Sequence, residues 1–318
     1  MNPRAPRIAV LIPCLNEELT VSKVVSDIRR QLPEARIYVF DNRSSDETAA
    51  RARGAGARVI EEPERGKGNV VRAMFRKIDA DAYLMLDGDD TYPAEAAGSL
   101  LAPIFAGHAD MVVGDRLSST YHDENSRPLH SFGNELVRVT INFLFRAHLA
   151  DIMSGYRAFS RLFVKTMPVM SRGFEVETEM TLHALDKRLR VMEIPIGYRD
   201  RPAGSTSKLS TLKDGFRVLR TIGRIFRDFH PLAFFATCAA VCAAAGLAIG
   251  AGPVMEFMEA QYVYRVPSAI LAASLELLAM LLLACGLILE TNVRHFREQF
   301  ERYVNEFTAR EPRDCPDE

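Results

Sequence analysis

The sequence predicts an α/β domain with a mainly parallel sheet, followed by an interfacial helix and two transmembrane helices. Three observations carry this expectation. Short β-branched apolar runs alternate with helical patterns over the first third of the chain. Each unusual polar stretch follows one of those runs. Two long segments with almost no charge occupy the last third of the 318 residues.

Five runs read as strands: "RIAVLI" (7–12), "ARIYVF" (35–40), "ARVI" (57–60), "AYLML" (82–86) and "DMVVG" (110–114). Between them, residues 17–31, 46–53, 67–79 and 94–106 read as helices. Strict alternation returns each strand parallel to the last, with helices on both faces of the sheet. Such sheets bind ligands at the carboxyl ends of their strands. The polar loops "PCLNEE", "DNRSSDET", "EEPERGKGN", "DGDDTYP" and "GDR" all fall there, one after each strand. Beyond residue 115 the alternation weakens. Residues 134–149 and 175–188 look helical, 190–200 look like a strand, and 201–211 form a polar loop without a packing pattern.

Residues 231–253 contain no charged side chain, and residues 268–289 contain only Glu276. Each run exceeds the roughly 20 residues needed to cross a hydrocarbon layer; a buried hairpin in a soluble core is the alternative. Lys213, Arg217, Arg220, Arg224 and Arg227 precede the first run, and Arg294, Arg297 and Arg302 follow the second. The connecting loop carries only Arg265. The excess of basic residues predicts that both termini and the N-terminal domain are cytoplasmic. Before the first span, Leu212, Phe216, Leu219, Ile222, Phe226 and Phe229 recur at three- and four-residue steps beside the basic stripe. That pattern suits a helix lying on anionic membrane lipids, and 293–307 resemble a second one. The expected division is a catalytic domain over 1–210, a juxtamembrane helix over 211–230, two spans over 231–290 and a helical tail over 291–318.

A net charge of −1 gives no basic field for nucleic acid. The five cysteines form no Cys-x-x-Cys or Cys/His cluster and read as reduced thiols. The N-terminal "MNPRAPRIAVLIPCLNEE" lacks the form of a signal peptide, because its apolar run is short and passes straight into charged residues.

Asp87, Asp89 and Asp90 crowd one strand end, where carboxylates repel and are costly to desolvate. Asp87 and Asp89 at this spacing can bind Mg²⁺ or Mn²⁺ and leave positions open for water and phosphate oxygens. The alternative is an acidic turn opening a helix, with Asp90 or Thr91 capping near Pro93. Asp41 and Asn42 follow the second strand, and Ser45 or Asp46 is placed to cap the next helix. Arg65, Gly66, Lys67 and Gly68 suit either a flexible loop beside a diphosphate or an ordinary basic turn.

Together, "IPCLNEE", "DNRSSDET", "RGKGN", "DGDDTYP", "GDR", "SGYRAFSR" and "GSTSKLS" stand in the order found in family 2 glycosyltransferases of the GT-A fold. The chain most resembles the polyprenyl-phosphate branch, related to dolichol-phosphate mannosyltransferases and bacterial undecaprenyl-phosphate glucosyltransferases. The resemblance covers residues 7–230 and extends to the two spans. It implies a GT-A nucleotide-sugar-binding domain and a bacterial-type cytoplasmic (inner) membrane location. It also implies a nucleotide-sugar donor, a polyprenyl phosphate acceptor, Mg²⁺ or Mn²⁺ as cofactor, and a homo-oligomer, a tetramer in bacterial relatives.

By resemblance, Pro13, Asn16 and Glu17 match the first nucleotide-binding loop, Asp41 the residue that binds the base, and Lys67 a diphosphate contact. Asn42 stands where the family commonly has a second aspartate. Asp87 and Asp89 match the metal-binding pair, with Asp89 the more direct ligand; Asp90 and Thr91 replace the hydrophobic residue and Gln that often follow. Arg116, Arg127 and Ser131 match acceptor-phosphate contacts, and Lys208 matches a lysine of the membrane-proximal loop. Asp151 matches an acidic position near the sugar, as donor-orienting group or base, with a helix cap or salt bridge as the alternative.

The expected reaction is inverting transfer from a nucleotide sugar, by preference a UDP-sugar, to a polyprenyl phosphate at the cytoplasmic face. A phosphate with a second pKa of about 6 arrives largely ionised and lessens the need for a base. The rivals are transfer to a lipid or glycolipid hydroxyl, a processive polysaccharide synthase, and a non-catalytic nucleotide-sugar-binding protein. The synthase is disfavoured because this chain has no Trp for the Gln-x-x-Arg-Trp motif.

Overall fold

The computed structural model describes residues 6–117, 128–173, 175–197, 199 and 222–310, with the side chains of 128–134 and 310 excepted. The chain divides into two compact units, Met1–Thr211 and Leu212–Glu318.

The first unit is built on one seven-stranded sheet of order β3-β2-β1-β4-β6-β5-β7. Its strands are β1 (Ile8–Cys14), β2 (Arg36–Asp41), β3 (Arg58–Glu61), β4 (Ala82–Met85), β5 (Met111–Asp115), β6 (Arg157–Ser160) and β7 (Val191–Pro195). β1 pairs in parallel with both β2 and β4. The chain therefore winds outward through β2 and β3, then returns to the other side of β1. That reversal opens a crevice at the carboxyl ends of β1 and β4, where sheets of this kind take ligands.

Neighbouring residues on each strand point to opposite faces, and both faces are covered. Val10, Ile12, Ile37, Val39, Leu84, Val112 and Ala158 enter one core, whereas Ala9, Leu11, Phe40, Tyr83, Met85, Val113 and Phe159 enter the other. Burial on both faces is why these strands read as unbroken apolar runs. Helix α1 (Val21–Gln31) buries Val21, Val24, Val25 and Ile28, a single 3.6-residue stripe. The remaining helices of the unit are α2 (Thr48–Gly54), α3 (Lys67–Lys77), α4 (Ala97–Phe105), α5 (Pro128–Phe145), α6 (Arg161–Thr166) and α7 (Val176–Asp186).

Three expectations change. β6, inside "SGYRAFSR", is a strand that the sequence did not suggest; it lies antiparallel between β4 and β5. Only Ala158 and Phe159 of its four residues are apolar, so it leaves no β-branched run, and Ser160 ends it by capping α6 through the Phe163 amide. The predicted strand over 190–200 closes at Pro195, and α5 begins at Pro128 rather than residue 134.

In the second unit, residues 222–229 are helical. They precede α8 (Pro231–Ala260) and α9 (Val266–Arg310), each long and apolar enough to cross a membrane. The predicted tail helix is the continuation of α9. The two long helices pack through small residues. A Cβ on Gly246 would lie 2.6 Å from Glu276 Oε1, and one on Gly250 would lie 3.2 Å from the Ala272 Cβ. Leu247, Ile270, Met280 and Ile288 are exposed, so these helices are not the buried hairpin of a soluble core.

Candidate functional site

The carboxylates predicted from sequence converge where β1, β2 and β4 end. β1 and β2 are in register so that Cys14 lies opposite Asp41. Burial pushes the Cys14 thiol well up, and the carboxylates of Glu17, Asp87, Asp41 and Asp89 push it further. Gly88 lies directly over that thiol: a Cβ there would stand 2.5 Å from Cys14 Sγ. The turn between Asp87 and Asp89 is thus pressed onto the strand end.

Hydrogen bonds lock the loops to one another. Asn16 adopts φ 57°, a left-handed conformation that asparagine tolerates. Its Oδ1 accepts from the Ser45 amide at 2.8 Å, and its own amide donates to Ser44 Oγ at 2.9 Å. The Glu17 amide donates to Thr48 Oγ1 at 2.8 Å. Pro13 sits within β1 opposite Phe40. Asp46 accepts from the Thr48 amide at 3.1 Å as α2 opens. Asn42 is buried and committed to the chain: its Nδ2 donates to the carbonyls of Glu62 and Glu64, and its Oδ1 accepts from the Gly66 amide at 2.8 Å. In this structure Asn42 organises the β3–α3 loop, where resemblance expects a donor contact.

Asp41 differs from Asn42. It is 6 % exposed, and its Oδ2 accepts from the Ser44 amide at 3.2 Å, but its Oδ1 is buried with no hydrogen-bond partner. A buried acceptor without a partner is costly, and it stands at the strand tip where a base edge could donate to it. Asp89, 3 % exposed, turns its Oδ1 onto the Thr91 amide and hydroxyl, the latter at 2.6 Å. The alternative reading, capping near Pro93 by Asp90 or Thr91, is not what the structure shows: no side chain caps the short helix after Pro93, and Asp89 holds the turn through Thr91. Asp90 pairs with Lys23 at 2.7 Å.

Lys67 is the first residue of α3 and lies between two carboxylates, 2.6 Å from Asp87 Oδ1 and 2.6 Å from Glu177 Oε1. Burial alone would disfavour its ammonium, but Asp87 and Glu177 more than offset that and hold it well above the ordinary lysine range. The glycines around it serve the chain's own backbone. A Cβ on Gly66 would meet the Arg172 carbonyl at 2.0 Å, and one on Gly68 the Ser171 carbonyl at 2.2 Å. Only glycine lets α3 start this close to the 171–172 segment.

On the other side of β4, Arg116 and Asp151 form a two-toothed ion pair, Nε to Oδ2 at 2.7 Å and Nη2 to Oδ1 at 3.1 Å. Burial opposes ionisation of Asp151, but Arg116 prevails and holds it below the usual carboxylate range. Glu193 on β7 fixes this loop by accepting from the amides of Ala150 and Asp151. Arg127 and Lys208 lie outside the described residues, and Ser131 falls in α5 with its side chain outside them.

Two residues of the site escaped the sequence reading. Arg157, 0 % exposed, holds the 152–154 loop by donating to the carbonyls of Ile152 and Ser154 and to Thr181 Oγ1. Burial pulls its guanidinium down to about 10, with Glu177 and Asp151 opposing that fall. Glu177 sits on the buried face of α7 among Val176, Met180 and Ala184. The available signal was a charged residue on an otherwise apolar stripe.

Among the described residues, no group of three or more Asp, Glu, His or Cys side chains is arranged to hold a metal ion. The Asp87–Asp89 pair nevertheless presents hard oxygen donors on a tight turn at an anionic edge. It fits Mg²⁺ or Mn²⁺, which take their remaining ligands from water and phosphate.

The profile of the family "Glycosyl transferase family 2" matches residues 9–167. Glycosyltransferase AglJ of Haloferax volcanii is 32 % identical over 301 residues, 94 % of this chain and 98 % of that protein. The dolichyl-phosphate hexose transferase of the same organism is 31 % identical over 218 residues, 69 % of this chain and 93 % of its own length. The fold matches glucosyl-3-phosphoglycerate synthase of Mycobacterium tuberculosis, solved with Mn²⁺, UDP-glucose and phosphoglyceric acid. The TM-score is 0.54 and the identity 23 %, over 70 % of this chain and 79 % of that one. With a GT-A-like sheet, its polar loops gathered on one edge, and likeness to AglJ over nearly its whole length, this chain belongs to glycosyl transferase family 2.

Proposed function

We propose that this glycosyltransferase moves a hexose from a UDP-sugar to a polyprenyl phosphate at the cytoplasmic face of a membrane, inverting the anomeric carbon. An acceptor phosphate oxygen forms the new bond to that carbon as its bond to the diphosphate breaks, and UDP leaves with the electron pair. Asp41 Oδ1 accepts from the base edge, Asp87 and Asp89 would hold a divalent cation, and Arg116, while paired with Asp151, lends its charge to the side where the acceptor phosphate binds. A divalent cation held there would supply positive charge to the departing diphosphate. The chain's own task is alignment.

The observation that carries the choice of acceptor is the Arg116–Asp151 pair. Resemblance offers Asp151 as a donor-orienting group or a base, yet it is ion-paired, and Arg116 holds its carboxyl below the usual carboxylate range. A weakly basic carboxylate deprotonates a sugar or lipid hydroxyl poorly. A phosphate needs no such help. The dolichyl-phosphate hexose transferase among the relatives supports the same acceptor class, and α8 and α9 suit a lipid substrate.

The test is a panel assay on the purified full chain in detergent with Mn²⁺ or Mg²⁺, undecaprenyl phosphate and several UDP- and GDP-sugars. The expected result is organic-extractable lipid-linked sugar from one donor, absent without metal and in Asp89→Ala. Transfer to a glycolipid hydroxyl, with none to the phosphate, overturns the proposal.

A further inference from the structure

We infer that Lys67 is a resident counter-ion of the donor site: without donor, its ammonium neutralises Asp87, and Glu177 is the seat onto which it withdraws when a divalent cation arrives. This rests on the reading of Asp87 as a metal-side carboxylate.

Three elements bring the group together: the first residue of α3, the turn after β4 and the first turn of α7. Lys67 lies at the positive end of its own helix, an unfavourable place for a cation. It is held there by two carboxylates, each at 2.6 Å. The two are not equivalent. The Asp87 side chain is 26 % exposed and faces the edge where ligands approach, whereas that of Glu177 is 6 % exposed and lies behind. Glu177 Oε2 is buried without a hydrogen-bond partner, so this side chain has acceptor capacity beyond its single present contact. Arg157 lies within electrostatic reach and offsets part of its charge. Gly155 supplies the room: a Cβ there would stand 2.7 Å from Asp87 Oδ2 and 3.2 Å from Lys67 Nζ.

Lys67 and a divalent cation both require Asp87, and like charges this close repel strongly in a partly buried site. Binding the cation therefore means loosening Lys67 from Asp87. Glu177 makes that step short, because the ammonium keeps one partner throughout. Glu177 is thus a positioning residue, acting through Lys67.

The experiment is Mn²⁺ titration of the purified full chain, read as loss of the free-ion electron paramagnetic resonance signal, with and without UDP. Without UDP, Lys67→Met is expected to bind Mn²⁺ about tenfold more tightly than the wild type, and Glu177→Gln about tenfold more weakly. Lys67→Met/Glu177→Gln removes one charge of each sign, guards against misfolding of the single variant, and is expected to bind more tightly than Glu177→Gln. A purely structural lysine predicts unchanged or weaker binding on its removal, so that result in Lys67→Met overturns the inference. If Lys67→Met does not fold, a double variant no tighter than Glu177→Gln overturns it. Mn²⁺ uptake that is lost in Asp89→Ala but indifferent to Lys67 defeats the counter-ion while leaving the metal site intact. No Mn²⁺ uptake by any form, with or without UDP, defeats both.

Discussion

Asp41 and Asp151 are both buried aspartates at the same edge of the sheet, yet they face opposite situations. Asp41, at the tip of β2, keeps one buried oxygen without a partner. Asp151, in the loop entering β6, has both oxygens engaged by Arg116 and its backbone amide engaged by Glu193. An unmet acceptor is a cost that a ligand can relieve, whereas a matched ion pair is a strut that resists removal of either half. The β1–β4 half of the site is therefore read as open to the donor. The β5–β7 half supports it with charges that are already balanced.

The largest expected effect tests the open half. Asp89→Ala is expected to lower kcat/KM for lipid-linked sugar formation by at least ~10³-fold, since it removes both the metal-side carboxylate and the anchor of the Thr91 turn. A loss below about tenfold would dissolve the distinction between the halves.

Next in size is the strut. Arg116→Met should destabilise the protein by about 3 kcal/mol at pH 7, measured by urea unfolding followed by far-ultraviolet circular dichroism. The pH dependence has a definite sign. Because Arg116 lowers the Asp151 value in the folded state, the pair contributes fully above the ordinary aspartate value of 3.8, and its contribution is lost as pH falls through the lower folded value. The gap between variant and wild type should therefore close in acid.

An effect of similar size comes from His183 on α7, which burial lowers from 6.5 to about 4. The unfolded chain binds a proton there that the folded chain refuses, so stability is lost as pH falls from 6.5 toward 4. His183→Gln should reduce that fall by about 3 kcal/mol, and an unchanged pH slope would contradict it. The smallest expected effect sharpens the comparison most directly. Asp41→Asn should weaken UDP binding about fivefold to tenfold by calorimetry, while stability stays within about 0.5 kcal/mol of wild type. A large stability loss would make Asp41 a strut as well.

Much of the donor half is legible in the linear sequence. Asp41 and Asp87 each follow directly on an apolar run and Asp89 stands two positions further, so their place at the sheet edge is set by chain order alone. The β5–β7 half is less legible. β6 is four residues long and pairs antiparallel with strands far away in sequence, and nothing in "SGYRAFSR" specifies those partners. The same holds for individual side chains. Asn42 beside Asp41 looks like a second ligand group, but it serves the β3–α3 loop. Lys67 looks like a diphosphate contact, but it meets Glu177, which lies 110 positions further along the chain.

By itself, the sequence determined what depends on local pattern: the run of parallel strands, the polar loops at their ends, and two helices long and apolar enough to cross a membrane. Periodicity and composition act over a few residues, and burial on both faces leaves an unmistakable apolar run. The tertiary structure decided which charges meet. The Lys67–Asp87–Glu177 cluster, the Arg116–Asp151 pair and the buried Arg157 all join residues from separate elements. A buried charge persists only where the fold brings it partners, and that is settled by packing across the sheet rather than along the chain.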